Sequence, residues 1–173
     1  IQRRSDKRTP LHLACLADRL SFELVPALSL ANPDAVALVD NQGRTPLHLL
    51  CALSSTKSYI RQMLLDRQDD LTRLIEGLCR VCPQALRIKD NSGRLPIHCY
   101  LECPLIPVKR PEVLMTMLEL YPESALVPSP TLGFVSSQVA SHALLSSRTM
   151  ELRLDFESRR ISQEEKTEGD DEG

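Results

Sequence analysis

One nine-residue stretch recurs in this chain and constrains its fold more than any other feature. Asp40-Asn41-Gln42-Gly43-Arg44-Thr45-Pro46-Leu47-His48 returns as Asp90-Asn91-Ser92-Gly93-Arg94-Leu95-Pro96-Ile97-His98. A shorter version opens the chain as Asp6-Lys7-Arg8-Thr9-Pro10-Leu11-His12. Self-similarity of this kind means that one supersecondary unit is stacked on itself, since a single unit cannot bury its own apolar face. Each copy reads as a tight turn followed by a helix start. Gly43 and Gly93 permit a positive φ at the turn. Thr9 and Thr45 fall where an N-cap hydroxyl accepts a free helix N–H. Pro10, Pro46 and Pro96 take the first helical position, where a missing N–H removes no intrahelical bond. In the third copy Leu95 replaces the capping Thr, and the lost bond costs about 1 kcal/mol.

The spacing of the copies locates an insertion. The Thr-Pro-Leu-His copies at 9 and 45 are 36 residues apart, whereas those at 45 and 95 are 50 apart. A second anchor, Asn32-Pro33-Asp34-Ala35, recurs as Cys82-Pro83-Gln84-Ala85 and Tyr121-Pro122-Glu123-Ser124. The extra residues therefore lie between motif and anchor, near 55–70, and an insertion of this kind maps to one face of the stack. Units run over about 5–38, 39–88 and 89–127.

The first unit's helices are expected over 10–17 and 21–31. Pro26 is awkward inside the second, and fits its first turn if the helix begins at Leu24 or Val25. In the insertion, Tyr59, Ile60, Met63, Leu64, Leu71, Leu74, Ile75 and Leu78 keep a helical spacing. They predict helices over 57–65 and 71–81 with a break at 66–70, or one long helix. The insertion packs back on its own unit or serves a partner. The third unit's helices fall over 96–101 and 111–120, separated by a proline-broken loop at 103–110. Residues 128–158 read as a decayed terminal cap with helices over 136–145 and 149–159. Residues 159–173 read as a disordered acidic tail.

A length of 173 residues suits one domain and a tail. Aromatics are only 3% and Trp is absent, so Leu and Ala must fill the core, as thin stacked helices allow. No apolar run reaches the ~20 residues that span a bilayer. Residues 157–173 carry seven acids against three bases, which leaves the body mildly basic in a chain of net −2. Neither value is extreme enough to argue for nucleic acid as a partner. Beginning at Ile1, inside a unit, the sequence reads as a fragment. Cys15 and Cys51 both stand three residues after a motif His, which fits small buried thiols and a cytoplasmic or nuclear setting.

The turn Gly followed by Thr-Pro-Leu-His, twice, and Leu-Pro-Ile-His once resembles the ankyrin repeat. The closing pattern, as in Tyr121-Pro122-Glu123-Ser124, is similar to divergent ankyrin repeats of diatoms and related algae. Where the family places a Gly after the second helix, this chain has Pro-x-Ala or Pro-x-Ser, and its shortest unit is 36 residues rather than 33. The resemblance implies an all-α solenoid of stacked ankyrin-like helix pairs with short β-turn fingers. It also implies a non-catalytic scaffold or adaptor that binds other proteins through fingers and inner helices. His12, His48 and His98 then hydrogen-bond across the turn and hold units together.

Little else in the sequence points to chemistry. Cys79-x-x-Cys82 with His98, Cys99 and Cys103 is the one metal-like set, against the alternative of buried thiols. No phosphate-binding glycine loop and no nucleophile elbow occurs, so neither enzyme activity nor a cofactor is expected. Arg8, Arg44 and Arg94 share one position in successive units and would line the finger side as a basic ladder with Lys7 and Lys89. The ladder faces solvent, an acidic partner surface, or the chain's own acidic tail. Arg159-Arg160-Ile161-Ser162 resembles a kinase site. His142 lies outside the motif. The function expected is protein binding, without nucleic acid or membrane. The alternatives are a structural segment of a longer repeat protein and a regulatory domain attached to an enzyme.

Overall fold

A computed structural model of the chain describes residues 6–16, 20–53, 58–103, 111–131 and 133–134. Of these, 64% are helical, in keeping with the all-α class. Described strand is confined to the antiparallel pair β1 (Pro128–Ser129) and β2 (Gly133–Phe134). The α-helices are α1 (Pro10–Ala14), α2 (Leu24–Ala31), α3 (Pro46–Cys51), α4 (Ser58–Asp66), α5 (Gln68–Val81), α6 (Pro96–Glu102) and α7 (Pro111–Leu120). The helices that follow the motif, α1, α3 and α6, pack side by side in one row. A second row runs α2, α5, α7. The core lies between the rows: Leu11, Leu47, Leu50 and Ile97 meet Val25, Ile75, Leu78, Leu114 and Met117, all fully buried.

The motif helices start as expected. Thr9 and Thr45 are extended N-caps whose hydroxyls accept from the His12 and His48 N–H groups at 3.3 Å, with proline first in each helix. Helix α1 stops at Ala14, short of the expected 17, and residues 17–19 lie outside the described set. The second helix begins at Leu24 rather than Ser21. The Ser21 hydroxyl accepts the Leu24 N–H at 3.1 Å, which leaves Pro26 in the first turn, where its missing N–H breaks nothing.

The second-row helices end alike, and the cause is one local rule. A residue before proline is driven out of the helical region. Asn32, Cys82 and Tyr121 accordingly adopt φ/ψ of −146/87, −143/83 and −144/76. Each donates its N–H back to the preceding helix, to Leu28, Leu78 and Met117. Short 3-10 helices follow at Pro33–Val36, Pro83–Arg87 and Pro122–Leu126. Their third residues, Ala35, Ala85 and Ser124, are buried, which explains why only Ala or Ser stands there.

The insertion forms two helices rather than one. Arg67 breaks the run at φ −113, ψ 35. Helix α4 packs on α5, with Leu64 buried in the core and Met63 half-buried beside it. The Arg67 guanidinium lies 4.0 Å over the Phe22 ring and donates to Asp70 at 2.8 Å, tying the insertion to the first unit. Residues 104–110 of the expected loop at 103–110, the cap beyond 134 and the tail with Ser162 lie outside the described residues, as does His142.

Candidate functional site

The three motif turns, or fingers, are hydrogen-bonded in succession, the second to the first and the third to the second. In the second, Asp40 accepts from the Gln42 and Arg44 N–H groups at 2.9 and 3.0 Å through Oδ1. Its Oδ2 accepts from Arg44 Nε and Nη2 at 3.1 and 2.8 Å. The turn is closed by Gly43 N–H to Asp40 O, with Gly43 at φ +71. Asp90 and Arg94 repeat every one of these bonds around Gly93 at φ +78. Burial pushes both carboxyls up, but hydrogen bonds from the Arg side chain and from backbone N–H groups outweigh it and hold them below the ordinary range.

Successive fingers are joined through their backbones. Asn41 N–H donates to Asp6 O, and Asn91 N–H donates to Gln42 O, each at 3.0 Å. The motif histidines add a second link. His12 Nδ1 faces the Thr9 N–H at 3.1 Å and its hydroxyl at 2.8 Å, so this nitrogen is the unprotonated acceptor. The proton is then on Nε2, which donates to Arg44 O in the next finger at 2.9 Å. His48 does the same with Thr45 and Arg94 O at 3.0 Å. His98 accepts from Leu95 N–H and donates to Val127 O at 3.1 Å. Each ring thus caps its own helix and latches the unit that follows. Burial lowers all three pKa values, that of His48 to about 4, so the rings are neutral.

The ladder residues stand in line, but their charges are clasped. Arg44 and Arg94 hold their own Asp, and Arg94 also donates to Glu102 at 3.2 Å. Glu102 in turn accepts from Ser129 and Thr131 at the β1 end. Finger one is irregular. Arg4 occupies the Asp position of the repeat, so Arg8 reaches Asp6 at 3.7 Å and Asp40 at 3.8 Å, and its buried Nε lacks a hydrogen bond. Lys7 and Lys89 are exposed, as are Asn41, Gln42, Asn91 and Ser92 at the tips. The Asp clamp was missing from the sequence reading, although the repeated Asp-to-Arg spacing of four carries its signal.

Five of the six cysteines are buried and Cys82 is half-buried, all as free thiols. Burial pushes the Cys79 and Cys99 thiols up to about 12 and raises Cys15 and Cys51 as well, which keeps them protonated and unreactive. Cys103 donates to Leu53 O. Both nitrogens of His98 are engaged, and no group of three or more His, Cys, Asp or Glu among the described residues is placed to hold a metal. None of the described helices is long and apolar enough to cross a membrane. No family model, curated protein or solved structure matches the chain.

Proposed function

We propose that the chain is an ankyrin-like solenoid that works as a non-catalytic protein-interaction module, with the finger tips and the flanking inner helices as its binding surface. The observation that carries this reading is the division of labour within the motif. Its buried members are spent on the scaffold: Asp40 and Asp90 brace their own turns, Thr9 and Thr45 cap their own helices, and His12, His48 and His98 bond to the unit that follows. Among the described residues the exposed tips make few such bonds; the Asn91 side chain donates to Asn41 O at 3.3 Å. A rigid file of fingers with free side chains is suited to recognition, because little ordering entropy is lost on binding.

The partner is a protein with an acidic patch. Since Arg8, Arg44 and Arg94 are engaged with carboxylates, Lys89 and Lys7 are the cations best able to meet it, with the arginines contributing their outer edges. The test is affinity capture with quantitative mass spectrometry, comparing wild type with Lys7→Glu/Lys89→Glu and with Asn41→Glu/Ser92→Glu. A partner retained by wild type and lost at least tenfold in both variants, with unchanged circular dichroism, supports the reading. A partner captured equally by all three places binding away from the fingers.

A further inference from the structure

We infer that the rear face of α2 is a docking surface for the outer helix of another repeat unit of this same kind. Alignment on the three Pro anchors makes α2, α5 and α7 equivalent, so Leu24 corresponds to Leu74 and Val113. Leu74 and Val113 are 5% and 1% exposed, whereas Leu24 is 48% exposed. Leu28 is half-buried, while its equivalents Leu78 and Met117 are both 1% exposed. Together Leu24, Ala27, Leu28 and Ala31 make an apolar stripe at i, i+3, i+4, i+7 on α2, and all but Leu28 are exposed.

What covers the same stripe elsewhere is visible in the fold. Helix α7 packs on α5, and Thr116, the equivalent of Ala27, donates to Glu76 of α5 at 3.4 Å. Helix α5 also packs on α2, with Leu74 and Leu78 buried and Gly77, its equivalent of Ala27, exposed. The stripe is therefore the side each outer helix turns toward the unit before it. On α2 it is built from apolar residues as if for that contact, and is left open.

The occupant is a repeat unit rather than a second copy of this chain meeting it face to face. Stacking here runs in one direction: Asn41 N–H meets Asp6 O and Asn91 N–H meets Gln42 O, so each finger donates backward. Two rear faces brought together would match neither the helix row nor the file of fingers. Only a unit stacked in the same sense continues both.

The test extends the chain by its own second unit. A copy of residues 45–94 is placed ahead of Thr9, in place of residues 1–8, and Leu24→Glu is made in both the extended and the 173-residue chain. The expected result is that Leu24→Glu lowers the urea midpoint of the extended chain by about 1 M, and that of the original by less than about 0.3 M. The original chain is expected to sediment as a monomer. Equal shifts in the two chains overturn the inference. So does a dimer of the original chain that Leu24→Glu dissociates, since the stripe then belongs to a second copy. Leu24 is half-exposed, so the variant leaves the original fold intact.

Discussion

At the scale of single residues, the two turn glycines look interchangeable in sequence and are not so in space. Both need a positive φ, but a Cβ on Gly43 would meet Asn91 Oδ1 at 2.5 Å and Asn91 N at 2.9 Å, whereas the nearest atom to one on Gly93 is 3.9 Å away. Gly93→Ala is expected to cost about 1 kcal/mol from backbone strain alone. Gly43→Ala should cost about 3 kcal/mol, because it also pushes finger three off its backbone bond. Urea unfolding of the two variants decides this. Lys7 occupies the Gly position of finger one at φ 56, so Lys7→Gly should stabilise by about 0.5 kcal/mol in the same assay. Leu95 shows a different exchange. It loses the hydroxyl cap, yet His98 N–H reaches Leu95 O at 3.0 Å and the side chain is fully buried, which offsets about 1 kcal/mol of lost capping with about 2 of burial.

At the scale of elements, what could be read from sequence was whatever is decided within a few residues. The turn glycines, the Thr caps, the first-position prolines and the stop imposed before Pro33, Pro83 and Pro122 are all local effects, and all stand where expected. Contacts across units were less accessible. The Nε2 partners of His12 and His48 lie 32 and 46 residues away. The Arg ladder is legible as a row between units, whereas its Asp partners show only in the spacing of four within each unit. The break at Arg67 falls within the expected 66–70, but it is one residue wide and α5 begins at Gln68 rather than 71; the stacking of Arg67 on Phe22 is a tertiary effect. The insertion offers a direct check. If α4 is part of the core, Leu64→Ala costs about 2–3 kcal/mol, as for a buried leucine that leaves a cavity. A cost below 0.5 kcal/mol would mean that α4 is held loosely.

At the scale of the whole molecule, acid should act on the latches between units. His48 is held at about 4, below its ordinary 6.5, and His12 and His98 are lowered too. As pH falls, the unfolded chain takes up these protons first. The stabilisation is complete above 6.5, declines below it, and for His48 is exhausted near 4, a loss of roughly 3 kcal/mol. Asp40 and Asp90 titrate below their ordinary 3.8, so their contribution persists through that window and is lost only in stronger acid. Thermal melting between pH 7.5 and 3 should show the first decline between 6.5 and 4, and His48→Gln should flatten it while lowering the melting temperature at pH 7.

Neutral histidines join each unit to the next, and imidazole NMR reads that state directly. Nitrogen-15 shifts across a pH titration report which nitrogen carries the proton and where each ring titrates. His12, His48 and His98 are all expected to be Nε2–H tautomers with slowly exchanging protons, and His48 to titrate near 4. A His48 that titrates near 6.5 with a fast-exchanging ring proton would contradict this, because the units would then not be latched through Arg94 O.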